Sequence, residues 1–225
     1  MTLARAWFVT GTDTEIGKTY TTCALLHAAR NQGLSALGMK PVAAGAEQLN
    51  GEWINEDAAR LREASSFDPG LALLNPCCLR SPIAPHIAAS EEGCVIEAGP
   101  LLGAFAELRK QADVVLVEGV GGFRVPLSND YDTADLACDF KLPVILVVGM
   151  RLGCISHALL TAEAIQQRGL ELAGWVANTA DPAMLRFDEN VAALRQRLTA
   201  PLLGVLPRLD SPAEAAQLSG LRLPS

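Results

Sequence analysis

The sequence predicts an α/β fold in which helices cover both faces of a mostly parallel β-sheet. Short apolar runs alternate along the chain with longer amphipathic runs, which is the order expected of alternating strands and helices. The apolar runs are continuous stretches of Val, Ile and Leu, and such stretches are typical of strands buried on both faces. Strands of this kind are joined by right-handed helical crossovers, which makes them parallel.

The strand candidates are the most apolar segments of the chain. They lie at residues 6–10, 35–39, 114–117, 144–148, 172–177 and 202–206. The helix candidates have apolar residues spaced three to four positions apart. They are a helix that ends at about residue 30 and helices at 56–64, 101–111, 156–168 and 188–198. Because no repeat, low-complexity segment or long linker interrupts this order, residues 1–225 are expected to form one domain.

The composition narrows the class of protein. Half of the residues (50%) are hydrophobic, which is enough for a substantial core. The net charge of −7 and the lack of a Lys/Arg run predict no nucleic-acid partner. The longest apolar stretch, residues 143–150, is too short to cross a bilayer, and no secretory signal precedes the first strand. We therefore expect no membrane partner. The six cysteines lack the spacing of a zinc site, so we expect them to be reduced thiols in a cytoplasmic protein.

Residues 11–19, Gly-Thr-Asp-Thr-Glu-Ile-Gly-Lys-Thr, are interpreted as a phosphate-binding loop of the pattern G-x-x-x-x-G-K-[ST]. Gly11 and Gly17 would let backbone N–H groups point at phosphate oxygens, and the helix that follows would add partial positive charge. Lys18 would reach the β- and γ-phosphates, and the Thr19 hydroxyl would bind Mg²⁺. The alternative is a glycine-punctuated turn with an incidental Gly-Lys-Thr. With the predicted sheet, the loop indicates a nucleotide-binding fold of the P-loop NTPase type.

Polar residues follow the predicted strands, and ligands of parallel sheets bind beyond these carboxyl ends. Glu118 ends one strand, where a carboxylate commonly meets a loop-bound Mg²⁺; a helix cap or a surface acid is the alternative. Lys40 follows another strand and would stabilise charge on a transferring phosphoryl group, although a lone lysine is more often solvated. Asp57 fits equally well a residue that caps or charge-stabilises the following helix and a third Mg²⁺ ligand. His86, in a proline-rich loop, is the one histidine considered for a site.

Several motifs in the same order resemble the dethiobiotin synthetase family, and they cover nearly the whole chain. They are residues 11–19, Lys40-Pro41-Val42, Pro85-His86-Ile87-Ala88, and residues 117–122, 147–155, 174–178 and 202–204. The resemblance implies a homodimeric ligase of biotin synthesis that depends on ATP and Mg²⁺. Its substrates would be 7,8-diaminopelargonic acid and CO₂ or bicarbonate, and its product a cyclic urea.

The resemblance also implies a role for individual residues. Lys18 and Lys40 would be catalytic, and Thr19, Asp57 and Glu118 would bind Mg²⁺. The nucleotide site would comprise Glu15, Ile16, Gly17, Lys18, Thr19, Tyr20, Asp57, Glu118, Gly119, Val120 and Gly121, with Asn178, Thr179, Pro207, Arg208, Leu209 and Glu214 near the adenine. The substrate site, at the subunit interface, would comprise Thr14, Lys40, Ala44 and Gly121, with Leu152, Gly153 and Ser156 of the partner subunit.

Three positions depart from the family pattern. Ala44 stands where many relatives have Ser, Ser156 where relatives have Asn, and Arg151 where relatives have Lys. These differences concern the positioning of the substrate, because none of them lies in the phosphate loop.

Other functions share the predicted sheet and loop. A switch ATPase of the partition or septum-positioning type has a second lysine early in the loop, where this chain has Asp13. A cobyrinic-acid-type amidotransferase needs a glutaminase domain, for which 225 residues leave no room. A non-catalytic nucleotide-binding regulator would not need Lys40 and Glu118 at the strand ends.

Overall fold

The computed structural model describes residues 4–49 and 51–224. The strands are β1 (Arg5–Gly11), β2 (Ala36–Met39), β3 (Val42–Ala44), β4 (Ala46–Leu49), β5 (Glu52–Asn55), β6 (Cys77–Leu79), β7 (Val114–Glu118), β8 (Val144–Gly149), β9 (Leu172–Asn178) and β10 (Leu202–Leu206). Six of them form the central sheet, in the order β10-β9-β8-β1-β7-β2, and every pairing in it is parallel. The predicted strands match these six to within a residue at each end.

The four remaining strands were not predicted. β3 pairs in parallel with β6, and β4 pairs with β5 in an antiparallel hairpin. These strands have three or four residues each, and most side chains of the hairpin are exposed. Such short segments carry too few residues for an apolar pattern to be recognised.

The helices are α1 (Lys18–Asn31), α2 (Glu56–Ala64), α3 (Leu71–Leu74), α4 (Pro85–Glu91), α5 (Ala98–Leu108), α6 (Thr133–Phe140), α7 (Cys154–Gln167), α8 (Phe187–Arg197) and α9 (Pro212–Ser219). The five predicted helices are confirmed as α1, α2, α5, α7 and α8, with ends shifted by up to three residues. The short helices α3, α4, α6 and α9 were missed. The prediction that His86 lies in a loop is wrong, because Pro85 occupies the first turn of α4 and starts that helix.

Residues of the central strands alternate between two packed cores, as expected of a sheet covered on both faces. Phe8 packs against Phe140, which in turn meets Phe105 of α5 edge-on with ring centroids 5.2 Å apart. Val9, the next residue of β1, belongs to the opposite core together with Leu25 of α1. All these side chains are buried.

The sheet order decides which loops meet. β1 lies between β7 and β8, and β2 flanks β7, so the loops that leave the carboxyl ends of these strands lie side by side. Within residues 4–49 and 51–224, no helix has the length and apolar character needed to cross a membrane. All six cysteines are free thiols.

Candidate active site

The loop between β1 and α1 makes the sharp turn that a phosphate-binding loop requires. α1 begins at Lys18, and the preceding Gly17 has φ 84°. A Cβ atom at Gly17 would lie 2.2 Å from Nδ2 of Asn178, so both backbone conformation and space require glycine there. Glu15 also has a positive φ, of 57°. One part of the sequence interpretation is wrong: five residues rather than four separate Gly11 from Gly17, so the loop is one residue longer than the pattern.

Lys18 is a nearly buried cation at the start of α1, with 7% of its surface exposed. Its Nζ donates a hydrogen bond to the backbone carbonyl of Asp13, at 2.8 Å. Burial, together with the nearby Lys40 ammonium, lowers the pKa of Lys18 to about 8, even though Glu118 and Asp57 oppose the shift. At neutral pH the loop therefore holds a desolvated ammonium, which an anion would stabilise.

Lys40, Glu118, Asp57 and Thr19 form an ionic cluster beside the loop. Lys40 and Glu118 are close because they lie at the ends of the neighbouring strands β2 and β7. Nζ of Lys40 donates to Oε1 of Glu118 at 2.6 Å, to Oδ2 of Asp57 at 2.9 Å and to the carbonyl of Gly119 at 3.3 Å. The Thr19 hydroxyl donates to the same Oε1 of Glu118, at 2.7 Å.

Burial and capping exclude some of the alternative roles that the sequence left open. Lys40 is 2% exposed and Glu118 is fully buried, so neither is a solvated surface group. The cap of α2 is Asn55, whose Oδ1 accepts the N–H groups of Asp57 and Ala58. Because Asn55 performs the capping, the Asp57 carboxylate is left to pair with Lys40.

The charges of this cluster stabilise one another. Burial alone would lower the pKa of Lys40, but the carboxylates of Glu118 and Asp57 and their hydrogen bonds raise it above its usual value. Burial would raise the pKa of Asp57, but the Lys40 ammonium brings it below its usual range. Lys40 is therefore protonated and Asp57 ionised at neutral pH.

A cavity of about 730 Å³ opens onto the loop and the cluster. It brings together many of the sequence-predicted residues, namely Thr14, Glu15, Gly17, Lys18, Thr19, Tyr20, Lys40, Ala44, Asp57, Val120 and Gly121. Sequence reasoning missed Arg60, Pro82 and Val125, which also line it. Arg60 lies three residues after Asp57, which is one turn along α2, so the helical spacing was the available signal.

A smaller adjoining cavity, of about 260 Å³, is lined by residues that the sequence analysis assigned to the adenine. Its lining includes Ile16, Asn178, Thr179, Arg208 and Leu209, and also Ala180, which was not predicted. Asn178 connects this cavity to the loop, because its Nδ2 donates to the carbonyl of Ile16 at 2.7 Å.

Other sequence-predicted residues lie outside these cavities. The Pro207 carbonyl accepts a hydrogen bond from the Tyr20 hydroxyl at 3.4 Å, and Glu214 is exposed in the first turn of α9. Leu152, Gly153 and Ser156 are exposed at the start of α7. They line neither cavity of this subunit.

Two further residues of the sequence analysis are also placed by the structure. Arg151 forms an ion pair with Asp13 and so links the start of α7 to the phosphate loop. His86 lines a separate surface depression, together with residues of α4 and the segment that follows it. The structure therefore does not place His86 with the loop and the cluster.

Comparison with known protein families gives one match, to a family described as "AAA domain", over residues 5–216. A relative from Aromatoleum aromaticum, named ATP-dependent dethiobiotin synthetase, is 69% identical over 224 residues and is covered fully, as is this chain. A relative of the same name from Xanthomonas axonopodis pv. citri is 53% identical over 219 residues, which cover 97% of this chain and 98% of the relative.

Solved structures share the fold at much lower sequence identity. The septum site-determining protein MinD from Pyrococcus horikoshii, complexed with Mg-ADP, has a TM-score of 0.57 at 14% identity, covering 95% of this chain and 93% of that one. A ParA family ATPase from Chlorobium tepidum has a TM-score of 0.56 at 10% identity, covering 95% and 89%. These likenesses concern the fold alone, and they confirm the predicted P-loop NTPase type. The full-length matches to the two named relatives, at 69% and 53% identity, establish that the chain belongs to the dethiobiotin synthetase family.

Proposed function

We propose that this protein catalyses the ATP-dependent carboxylation and ring closure of 7,8-diaminopelargonic acid with CO₂, which gives dethiobiotin, ADP and phosphate. One observation carries the proposal: Lys18, Lys40 and Asp57 line a single cavity beside the phosphate loop, and Lys40 pairs there with Asp57 and with the buried Glu118. The names of full-length relatives support it.

The first chemical step is a phosphoryl transfer. Before this transfer, one amine of the substrate adds to CO₂ and loses a proton, which gives a carbamate. A carbamate oxygen then attacks the γ-phosphate of ATP in line, so that ADP leaves and a carbamic–phosphoric anhydride forms. Lys18 and Lys40 would balance the negative charge that develops on the transferring group. Lys40 suits this role because three acceptors fix its buried ammonium before the reaction begins.

The residues of the cluster are also suited to hold Mg²⁺. Thr19, Asp57 and Glu118 offer hydroxyl and carboxylate oxygens, the ligands that this cation prefers. Oε2 of Glu118 is buried and has no hydrogen-bond partner in the described part of the chain, which leaves an anionic oxygen available. When bound, the ion supplies neutralisation of charge on the phosphate oxygens.

The second step closes the ring. The other amine attacks the carbonyl carbon of the carbamic–phosphoric anhydride, the C–O bond to phosphate breaks, and phosphate leaves, while the attacking nitrogen gives up a proton that the departing phosphate can take. Both amines belong to one bound molecule, and such intramolecular closure can lower a barrier by roughly 7–11 kcal/mol when the groups are well oriented. Thr14 and Gly121 line the cavity and would orient the diamine, and no side-chain nucleophile is needed.

We infer further that the protein is a homodimer in which Leu152, Gly153 and Ser156 of one subunit complete the substrate site of the other. The N-terminus of a helix such as α7 suits the carboxylate of the diamino acid. Exposed leucines near this end of α7 support an interface there, since Leu152 is 96% exposed and Leu160 is 62% exposed.

Replacing Leu160 by glutamate is expected to convert the dimer into a monomer. Leu160 lies one turn beyond Ser156, and a two-fold interface would bury the new charge twice. Sedimentation velocity at micromolar concentration measures the change, and binding of the diamine should weaken with it. Leu218→Glu on α9, where the leucine is 68% exposed, is the matched control and should stay dimeric. A monomeric wild-type protein would overturn the inference.

Mass spectrometry of a reaction with ATP, Mg²⁺, bicarbonate and 7,8-diaminopelargonic acid tests the proposed function. We expect dethiobiotin and ADP to appear together, and neither to form above background when the diamine is omitted. ADP release that does not depend on the diamine, without dethiobiotin, would instead indicate a switch ATPase. If folded protein gives neither product, the ligase proposal is wrong and a binding or regulatory role becomes the better explanation.

A further inference from the structure

Arg60 is a cation of the large cavity to which the proposed reaction gives no role. It lies on α2, one turn after Asp57, and lines the cavity together with Lys18 and Lys40. It also lines a neighbouring groove between α1, α2 and the start of α9, where Tyr20 is its neighbour. Arg60 thus lies at the boundary of the two depressions, with Tyr20 lining both.

The balance of charged groups at the cavity indicates that a bound nucleotide would need a further cation. Without Arg60, the cavity lining has the ammonium groups of Lys18 and Lys40 and the carboxylates of Glu15 and Asp57, and Lys40 also pairs with the buried carboxylate of Glu118. A nucleoside triphosphate brings several further negative charges, so the two lysines leave the site with an excess of negative charge even when a Mg²⁺ ion is bound. A guanidinium suits this environment because it is always charged and binds phosphate oxygens through paired N–H donors.

The present partner of Arg60 is weakly bound. Its Nη2 lies 2.5 Å from Oε1 of Glu56, one turn earlier on α2, and the two side chains are 57% and 76% exposed. Within residues 4–49 and 51–224, Glu56 is the only carboxylate in ion-pair contact with Arg60. An exposed ion pair at this helical spacing typically shifts the equilibrium between the paired and unpaired side chains only about twofold. A phosphate can therefore displace Glu56 at small cost.

We propose that Arg60 binds the phosphate chain of the nucleotide, and that its guanidinium exchanges Glu56 for phosphate oxygens when the nucleotide enters. The proposal rests on the proposed function in one respect, namely that the cavity binds ATP. The proposal also gives Glu56 a role. Its carboxylate holds the guanidinium in the nucleotide-free protein and so competes with the phosphates for it.

Calorimetric binding of a non-hydrolysable ATP analogue, ADP, AMP and adenosine to four variants tests the proposal. Arg60→Gln is expected to weaken binding of the ATP analogue about 10-fold, the size of one lost charge-assisted hydrogen bond. Glu56→Gln should strengthen binding about twofold, because the competing carboxylate is gone. In the Glu56→Gln/Arg60→Gln double variant this gain should vanish, since no guanidinium remains to be released. Arg62→Gln, on the same helix and outside the cavity lining, should bind like the wild type.

The ligand series identifies the group that Arg60 binds. A loss with both the ATP analogue and ADP would assign Arg60 to the α- or β-phosphate, and a loss with the ATP analogue alone would assign it to the γ-phosphate. An equal loss with adenosine would overturn the proposal, because the contact would then be to the nucleoside.

The remaining outcomes are equally decisive. Unchanged binding in Arg60→Gln would overturn the proposal and leave the proposed function intact, whereas wild-type protein that binds no ATP analogue would overturn both. Thermal unfolding of each variant without nucleotide checks its fold. Because the Glu56 pair is exposed, the midpoints should match that of the wild type.

Discussion

Replacing Lys40 by alanine is expected to lower kcat by at least ~100-fold and to destabilise the folded protein by about 3–5 kcal/mol. The rate falls because a preorganised ammonium is lost beside the transferring phosphoryl group. The stability falls because Glu118, which is fully buried, loses the cation that lies 2.6 Å from its Oε1. Steady-state ADP release with the diamine measures the first effect, and urea unfolding without nucleotide measures the second.

Two further variants separate the catalytic role of Lys40 from its structural role. Adding Glu118→Gln to Lys40→Ala removes the uncompensated charge, so we expect most of the stability to return while turnover stays low. Lys110→Ala is the matched control: Lys110 lies at the same 2.6 Å from Glu107, but both side chains are more than half exposed. Its loss should change stability by less than about 0.5 kcal/mol. Near-normal turnover of Lys40→Ala would contradict the assigned role.

The central sheet was predictable because its strands leave a strong pattern in the sequence. Continuous apolar segments such as 114–117 and 144–148 are needed where a strand is buried on both faces, and few other elements require them. The carboxyl ends of such strands meet at one edge, so Lys40 and Glu118 could be placed together although 78 residues separate them. The short helices and strands were missed because their few residues show no periodicity.

The surroundings of Asp57 and Arg60 depend on contacts that only the structure shows. Asp57 was ambiguous because a carboxylate near a helix start can cap the helix or bind a metal. The structure excludes the cap, since Asn55 caps α2 instead, and the metal role stays a prediction. For Arg60 the only signal was its spacing of one helical turn from Asp57, and its place at the cavity also depends on how α2 packs against α1. Long-range packing of this kind leaves no local trace in the sequence.

Replacing Lys18 by alanine is expected to lower kcat by at least ~100-fold as well. Its ammonium is held at the phosphate loop, where it donates a hydrogen bond to a backbone carbonyl, that of Asp13. Binding of a non-hydrolysable ATP analogue should weaken in parallel, which calorimetry can measure, because the same ammonium would contact the β- and γ-phosphates in the ground state. Near-normal turnover would contradict the role of Lys18.

Lys18 is also expected to lower the free energy of unfolding of the protein when no nucleotide is bound. At pH 7, without nucleotide or metal, Lys18→Met is expected to raise the free energy of unfolding by about 1–3 kcal/mol. The reason is that burial and the Lys40 ammonium lower the pKa of Lys18 from 10.5 to about 8, which means that the folded protein holds this charge at a cost. Between these two values the folded wild type loses the proton while the unfolded chain keeps it, so wild-type stability rises with pH. The advantage of the methionine variant should therefore shrink between pH 7 and pH 10, as measured by urea unfolding at each pH. A methionine variant less stable than the wild type at pH 7 would mean that the hydrogen bond to Asp13 outweighs the cost of burying the charge, and that the lysine is part of the stable fold even without its anion.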